Sequence, residues 1–246
     1  ELIRHSVSKL SHLHFVANHK AKERLKQLGE LDSLIHVIGS PDLDLMNSDN
    51  LPDISQAKKY YEVEYNSYAI AMYHPVTTEI NETEEYVSNY MDALVESNLN
   101  YIVIYPNNDL GSNLIIDAIN ANKDNKNMKI FPSLRFEYFL TFLKNADFII
   151  GNSSAGVREA PYYGINTIDI GTRQKNRSSA KTIINCGNAK NEIISAIGLV
   201  SESIKTDIVN NYAEFGSGQS DHKFLEILNS EKIWKTPCQK QFQDII

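Results

Sequence analysis

The chain has 246 residues, of which 42% are hydrophobic and 22% charged, and it carries a formal net charge of -7 at pH 7. This composition is typical of a globular protein with one large or two ordinary domains and a sizeable core. The acidic balance argues against nucleic acid or an anionic membrane surface as the main partner, although it leaves room for a local phosphate site.

The two cysteines, Cys186 and Cys238, lie far apart in the sequence and lack the spacing of metal ligands. We therefore expect a reduced, cytoplasmic protein with no disulfide scaffold, no metal site and no cofactor. The sequence contains no apolar run of membrane-spanning length, and no signal peptide is predicted. These features leave a globular enzyme or binding protein as the remaining classes.

The first fifty residues carry two helix patterns and two strand patterns. Ile3, Val7 and Leu10 share one helical face without a preceding cap, so the chain is expected to begin inside a helix. Strands are predicted over 12–17 and 34–38, with a helix from about His19 to Gly29, where the glycine suits a C-cap. Two parallel strands cannot bury a core alone, so residues 1–50 are expected to be the remainder of a larger lobe.

Residues 51–66 are polar and predict a connection between lobes, whereas strand and helix patterns alternate regularly over 67–230. Strands are predicted over 68–73, 101–105, 129–131, 148–151, 166–170 and 181–185. Helices are predicted over 83–97, 112–122, 136–145, 156–163, 191–200 and 221–230. This alternation indicates a doubly wound α/β domain with an all-parallel sheet and right-handed crossovers. Residues 231–246 are predicted to be a tail.

A strand followed by a tight turn and a helix start is predicted over 148–161. Such a turn presents unpaired backbone N–H groups, together with the hydroxyls of Ser153 and Ser154, to a ligand above the strand. Phosphate is a common ligand of this arrangement. Plain N-capping by Asn152, Ser153 and Ser154 explains the same residues equally well, so both interpretations stand at this point.

In an open parallel sheet, ligands bind beyond the carboxyl ends of the strands. Small or hydrogen-bonding residues follow nearly every predicted strand, including His74, Asn107, Ser133 and Arg173. Arg173 could pair with phosphate through two hydrogen bonds or be a solvated loop residue, and His74 could be a ligand or a structural histidine. Glu159 could hold a ribose diol or complement a helix end. Taken together, these residues favour an anion-binding cleft.

Several motifs, in the same order, resemble those of the hydrolysing UDP-N-acetylglucosamine 2-epimerases of sialic-acid biosynthesis. They are IRHSVSKLSH at 3–12, GSPDLD at 39–44, HPVTTE at 74–79, YPNND at 105–109, GNSSAGVRE at 151–159 and GTRQ at 171–174. The likeness covers residues 1 to about 200. It implies a fold of the glycosyltransferase-B type, with two Rossmann-like lobes of which the N-terminal one is incomplete here, and a homo-oligomeric protein.

The same resemblance implies the reaction and the residues that serve it. UDP-N-acetylglucosamine and water would give N-acetylmannosamine and UDP by elimination to a glycal, followed by hydration. Catalytic roles are implied for His74, Asp44 and Arg4. The UDP half of the substrate is expected to contact the following residues: His74, Asn107, Ser133, Ser153, Ser154, Gly156, Glu159 and Arg173.

The chain also departs from the family pattern. The family carries a basic phosphate motif and two acidic motifs upstream of the helix at residues 3–12, and no residues here match them. Because those acids are the expected proton-transfer groups, we expect the chain as given to lack them and to be inactive alone.

Three alternatives remain open from the sequence. Relatives in legionaminic-acid biosynthesis share these motifs and act on UDP- or GDP-linked 2-acetamido or 2,4-diacetamido sugars. A serine hydrolase is a second possibility, since Ser153, Asp169 and His222 follow in α/β-hydrolase order, although no second glycine follows Ser153. A non-catalytic nucleotide-sugar binder is the third, because such a protein would retain Ser153, Glu159 and Arg173 without the upstream acids.

Overall fold

The computed structural model describes residues 2–46, 51–175, 177–202, 215–216 and 218–244. The chain divides into two compact units. Unit 1 consists of Glu1–Asp49 and Ala213–Ile246, and unit 2 consists of Asn50–Tyr212. The helix predicted over 221–230 therefore belongs to unit 1, not to the lobe over 67–230 to which the sequence analysis assigned it. Among the described residues, no helix is long and apolar enough to cross a membrane.

The described residues form eight strands and eleven α-helices, numbered in chain order. The strands are β1 His14–Val16, β2 Ile35–Val37, β3 Ala69–Met72, β4 Tyr101–Ile104, β5 Met128–Phe131, β6 Phe148–Gly151, β7 Asn166–Ile170 and β8 Ile183–Cys186. The helices are α1 Leu2–Leu10, α2 His19–Gln27, α3 Pro41–Met46, α4 Ile54–Tyr61, α5 Thr83–Glu96, α6 Ser112–Asn120, α7 Phe136–Lys144, α8 Glu159–Tyr162, α9 Lys190–Glu202, α10 Ser220–Leu228 and α11 Glu231–Trp234.

Unit 1 contains a two-stranded parallel sheet, β1–β2, with His14 opposite Ile35 and Val16 opposite Val37. Both strands and the helix between them were predicted from the sequence and are confirmed. The Asn18 side chain accepts a hydrogen bond from the Ala21 N–H at the start of α2. The predicted C-cap is confirmed as well, because Gly29 follows α2 with φ +78°, a conformation that glycine adopts without strain.

The C-terminal tail is a structural part of unit 1, although its sequence has no clear pattern. Lys240 Nζ lies 2.9 Å from the Lys9 carbonyl and also donates to the carbonyls of Ser8 and Ser11, at the C-terminal end of α1. The same ammonium group lies 2.7 Å from a carboxylate oxygen of the buried Glu30. Burial raises the pKa of Glu30, but hydrogen bonds from Lys240, Lys9 and His14 outweigh it and hold the pKa at about 2.

Unit 2 is built on a six-stranded, all-parallel sheet in the order β5-β4-β3-β6-β7-β8. All six predicted strands are present, and the doubly wound arrangement is confirmed. The four central strands are buried along almost their whole length. Strands buried on both faces read as nearly continuous apolar runs, which explains why these four were recognisable in sequence. The chain builds outward from β3 to β5 and then returns to β6 beside β3. The boundary between β3 and β6 is therefore the topological switch point, where ligands of such sheets bind.

Three short helices differ from the predictions, and one of them, α11, lies in the segment predicted to be a tail. The helix predicted over 156–163 is a 3-10 turn at Ser154–Gly156 followed by the four-residue α8. The Thr167 hydroxyl donates to the Gly156 carbonyl over 2.6 Å, which holds the turn against β7 instead of letting a regular helix begin there. Helix α3 was not predicted, because the Gly-Ser-Pro sequence reads as a strand end, whereas Pro41 here occupies the first helical position.

Candidate functional site

The switch point is shaped by a glycine that lets β6 turn away close to β3. Gly151 has φ +135°, and a Cβ atom at this position would lie 1.9 Å from the Met72 carbonyl oxygen. Only glycine tolerates this backbone and this approach. The next residue keeps contact with β3, because the Asn152 N–H donates to the Met72 carbonyl over 3.1 Å.

Asn152 links the ends of the two strands through its side chain. It is 1% exposed. Its Oδ1 accepts a hydrogen bond from the His74 N–H at 2.7 Å, and its Nδ2 donates to the His74 carbonyl at 2.8 Å. An amide matches a peptide group in having one donor and one acceptor, so it extends the β3–β6 pairing by one residue. His74 therefore follows β3 with a fixed main chain.

The imidazole of His74 is fixed from the other side by the loop after β4. The Asn107 N–H lies 3.1 Å from His74 Nδ1, and the Asn107 Oδ1 lies 3.2 Å from the same nitrogen. A backbone N–H can only donate, whereas the Asn107 Oδ1 can only accept, so the two contacts favour opposite tautomers of the ring. We assign the tautomer by the backbone contact, with Nδ1 as the acceptor and the proton of the neutral ring on Nε2. The Asn107 side chain is exposed and donates to Asp109.

His74 is neutral at physiological pH. Burial, and then the positive charge of Arg173, lower its pKa to about 4, against smaller opposite effects of Asn107 and Asp109. Because a depressed histidine pKa means that the folded protein resists protonation, the ring gains its second proton only as pH falls through about 4. Between pH 5 and 8 it offers one N–H donor, from Nε2.

This protonation state predicts a specific NMR result. In protein labelled with 15N-histidine, the His74 ring should show a protonated Nε2 and an unprotonated Nδ1 at pH 7, with a midpoint near pH 4. A His74 midpoint near the ordinary value of about 6.5 would contradict the buried, hydrogen-bonded ring described above.

Arg173 approaches the same point from the loop after β7. Its Nη1 donates to the Asn152 carbonyl over 3.1 Å, and Gln174 Nε2 donates to the same oxygen over 2.8 Å. Gln174 is buried, and its Oε1 accepts a hydrogen bond from Arg177. Burial lowers the pKa of Arg173, with a further contribution from Arg177. A guanidinium nevertheless stays charged at neutral pH, and the remaining N–H donors of its fork can serve an anion.

The predicted phosphate turn follows directly after Asn152. Ser153 precedes the 3-10 turn, and its Oγ accepts the Ala155 N–H at 3.3 Å. A Cβ at Gly156 would lie 2.6 Å from the Thr167 methyl group, so glycine lets the turn lie directly on β7. Any anion binding here depends on local N–H and hydroxyl groups and not on a helix dipole, because α8 spans only four residues. The UDP-binding roles of Ser153, Ser154 and Gly156 stay predictions.

The remaining sequence-predicted residues of unit 2 lie in different surroundings. Glu159 is buried at the first position of α8, in the segment after the turn. Its negative charge contributes to the raised pKa of Tyr163, behind burial and Tyr162. Ser133 is exposed and follows β5, the edge strand, so two strands separate β5 from β6. The structure thus brings Asn152, His74 and Arg173 together and leaves Ser133 at the rim of the sheet.

The two other predicted catalytic residues, Asp44 and Arg4, belong to unit 1. Asp44 accepts hydrogen bonds from the Ser220 N–H at 3.0 Å and the Asp221 N–H at 3.1 Å, as well as from the Ser220 hydroxyl. Burial opposes its ionisation, but these bonds outweigh it and lower its pKa. Asp44 thus caps the start of α10. Arg4 is exposed on α1, and the catalytic roles of both residues stay predictions.

The geometry argues against a serine hydrolase. Ser153 has φ −72° and ψ 146°, an ordinary extended conformation and not the strained turn of a nucleophile elbow. Its hydroxyl oxygen accepts the Ala155 N–H and thereby caps the following turn. Within the described ranges, no cluster of three His, Cys, Asp or Glu side chains could hold a metal ion.

Two residues of this site, Asn152 and Gln174, have contacts that were not predicted from the sequence. Asn152 was considered only as a helix cap, and Gln174 was part of a quoted motif without a role. The signal that could have found Asn152 is an amide directly after a strand-ending glycine, since a buried amide there must pair with a neighbouring strand end. Gln174 gave no such signal, because its partner is the main chain of a residue 22 positions earlier.

Sequence comparison gives one family and several relatives. The profile of the family described as UDP-N-acetylglucosamine 2-epimerase matches residues 1–229. A UDP-N-acetylglucosamine 2-epimerase of Neisseria meningitidis serogroup B is 45% identical, covering 99% of this chain and 64% of that protein. A GDP/UDP-N,N'-diacetylbacillosamine 2-epimerase (hydrolyzing) of Campylobacter jejuni is 35% identical, covering 74% of this chain and 48% of that protein. The chain thus spans at most about two thirds of the length of these relatives.

Solved structures share the fold. A UDP-GlcNAc 2-epimerase from Neisseria meningitidis bound to UDP-GlcNAc matches with a TM-score of 0.71 at 19% identity, covering 90% of this chain and 62% of that one. The Methanocaldococcus jannaschii enzyme in complex with UDP-GlcNAc and UDP matches with a TM-score of 0.70 at 19% identity, covering 89% and 61%. The predicted fold class is confirmed: α/β with parallel sheets in Rossmann-like units of the glycosyltransferase-B type.

Proposed function

The chain belongs to the UDP-N-acetylglucosamine 2-epimerase family, and from that premise we propose that the whole protein is a hydrolysing 2-epimerase. In this proposal, UDP-N-acetylglucosamine and water give N-acetylmannosamine and UDP, and unit 2 binds and releases the UDP. The observation that carries the proposal is the convergence of a neutral, fixed His74 and a half-buried Arg173 on Asn152, directly before the turn at Ser153.

The proposed first step is an elimination in the sugar ring. A base removes the proton on C2, the C1–C2 double bond forms, and the C1–O bond breaks with its electron pair leaving on the β-phosphate oxygen of UDP. Negative charge grows on the diphosphate as this bond breaks. Fixed donors aimed at developing charge are the most effective kind of electrostatic catalysis. His74 Nε2–H and the free N–H groups of Arg173 are suited to that task.

The proposed second step is hydration of the glycal. Water adds across the C1–C2 double bond, with the hydroxyl on C1 and a proton on C2 from the face that inverts its configuration. The product is free N-acetylmannosamine, so the sum of the two steps is hydrolysis and epimerisation. We propose that the acids that transfer these protons lie in a part of the whole protein that residues 1–246 do not cover.

The names of the relatives support hydrolysis but leave a second sugar open. The Campylobacter protein and a 28% identical Legionella pneumophila relative are both named hydrolyzing diacetylbacillosamine 2-epimerases. A UDP- or GDP-linked 2,4-diacetamido sugar of legionaminic-acid biosynthesis is therefore the second candidate substrate. Both cysteines are free thiols, which supports a reducing compartment such as the cytoplasm. Homo-oligomeric assembly rests on the family resemblance alone.

A product assay on the full-length protein tests the proposal. With UDP-N-acetylglucosamine, we expect UDP and N-acetylmannosamine in equal amounts by 31P and 1H NMR. Formation of UDP-N-acetylmannosamine with the diphosphate linkage intact would replace the hydrolysing assignment with a non-hydrolysing one. Turnover only of UDP- or GDP-N,N'-diacetylbacillosamine would establish the second candidate. Binding of UDP without turnover of any of these sugars would establish a nucleotide-sugar binder.

A further inference from the structure

Two groups of the proposed site come from loops that are far apart in sequence, and one residue holds both of them. Asn152 clamps the His74 main chain through two side-chain hydrogen bonds of 2.7 and 2.8 Å. Its own carbonyl accepts the Arg173 guanidinium at 3.1 Å and Gln174 at 2.8 Å. The His74 and Arg173 positions are thus both set relative to a residue that is itself fully buried.

The amide is the only common side chain that fits this position. The main chain of His74 has an N–H donor and a carbonyl acceptor on the same side. An amide side chain of the length of Asn forms a hydrogen bond with each of them. A carboxylate in its place would accept from the N–H but face the His74 carbonyl with a second acceptor. A smaller side chain would leave a buried N–H and a buried carbonyl without hydrogen-bond partners, and each would then be desolvated without compensation.

We propose that Asn152 is a positioning residue that holds His74 and Arg173 in one arrangement, so that both groups act on the same leaving diphosphate. This inference rests on the proposed function. It explains why the turn carries an asparagine before its serines, a role that capping alone does not require. The catalytic contribution of Asn152 is indirect, because its polar atoms are occupied by His74, Met72, Arg173 and Gln174.

The pKa of the His74 ring can be used to detect a change in the arrangement of His74 and Arg173, because burial and neighbouring charges both affect it. Burial is the largest cause of the depressed His74 pKa. The positive charge of Arg173 lowers this pKa further, whereas Asn107 and Asp109 raise it. Release of the His74 main chain, by Asn152→Ala, should admit water to the ring and move its pKa from about 4 upward toward the ordinary value. Asn152→Asp should move it in the same direction, because a nearby negative charge favours the imidazolium form.

The test uses full-length protein carrying Asn152→Ala or Asn152→Asp, with UDP-N-acetylglucosamine as substrate and 15N-histidine NMR as a second readout. We expect kcat to fall about 100-fold in Asn152→Ala, since misplacement of catalytic groups by about 1 Å has effects of that size. We also expect an upward shift of the His74 titration in both variants. If Asn152→Ala does not fold, the kcat of the isosteric Asn152→Asp decides the question, because its added charge moves the His74 titration whether or not the main chain is displaced.

A matched control separates positioning from simple loss of stability. Tyr68 lies just before β3, at the opposite end of the strand from His74, and its hydroxyl donates to the Phe142 carbonyl over 2.9 Å. Tyr68→Phe removes one buried hydrogen bond from unit 2 and should lower the melting temperature, with kcat within twofold and an unchanged His74 titration. Unchanged kcat and His74 pKa in the Asn152 variants would overturn the inference.

The two readouts distinguish failure of this inference from failure of the proposed function. If the wild-type protein does not turn over UDP-N-acetylglucosamine, the proposed function fails for that sugar. The NMR comparison then still decides whether Asn152 sets the state of His74. If the wild type is active and the variants match it, the positioning role alone is wrong.

Discussion

Arg173→Ala in the full-length protein is expected to lower kcat for UDP release by about 100- to 1000-fold, the range found when a preorganised donor to a developing anion is removed. The guanidinium is half-buried and uses Nη1 on the Asn152 carbonyl. Its other N–H groups do not take part in that contact, and the guanidinium as a whole is positively charged at neutral pH. Alanine removes both the charge and the donors from the site proposed for the diphosphate.

Two further variants make the Arg173 result specific. Arg173→Lys keeps the charge without the planar fork, so an intermediate loss is expected. Arg135→Ala removes an exposed arginine that pairs with Glu137 and stacks on Tyr138, away from the switch point, and kcat should stay within twofold. Steady-state kinetics of UDP release measures all three. An Arg173→Ala enzyme with kcat within threefold of the wild type would refute the role given to this residue.

Gly151→Ala is expected to destabilise unit 2 by about 3 kcal/mol or more, which lies at the upper end of single-substitution effects. The added Cβ would lie 1.9 Å from the Met72 carbonyl oxygen, and φ +135° is unfavourable for any residue with a side chain. Relief of this clash must separate β6 from β3, at the place where Gly151 lies opposite Met72. Urea unfolding, followed by circular dichroism, measures the change.

Gly198 provides the matched control for this substitution. It lies within α9, and a Cβ at this position has nothing within 4 Å. Gly198→Ala should therefore be neutral or stabilise the protein by up to about 1 kcal/mol, because alanine favours helices over glycine by that amount. A Gly151→Ala protein that unfolds at the same urea concentration as Gly198→Ala would show that the β3–β6 contact is not required.

Much of the fold was predictable because the four central strands of unit 2, β4, β3, β6 and β7, are buried along almost their whole length. The bounds of β6 and β7 were predicted without error, since runs such as Phe148–Gly151 end abruptly at small polar residues. The helix α10 was predicted as an element, but its membership of unit 1 was not. That membership depends on contacts between Asp44 and Ser220, which are 176 residues apart, and no local pattern encodes such a contact.

The sequence predicted which polar residues follow the strands, but it did not predict which of the loops lie next to one another. The rule that ligands bind beyond the carboxyl ends of strands placed His74, Asn107, Ser153 and Arg173 at one edge of the sheet, and the structure confirms that placement, while their roles toward a substrate stay predictions. The same rule also selected Ser133, because it ignores strand order. The order β5-β4-β3-β6-β7-β8 decides which loops meet. It places β6 beside β3, so Asn152 can reach a residue 78 positions earlier.

Unit 1 is built from two chain segments that are separated by the whole of unit 2, so the two units cannot be completed in the order in which the chain begins. Unit 2 is continuous over Asn50–Tyr212, so all of its sheet has been synthesised before the last segment of unit 1 emerges. The ion pair between the buried Glu30 and Lys240 can form only after 210 further residues have been synthesised. Domains that are continuous in sequence fold as units while the chain grows. Unit 2 can therefore mature first, whereas unit 1 cannot be completed until residues 213–246 have been synthesised.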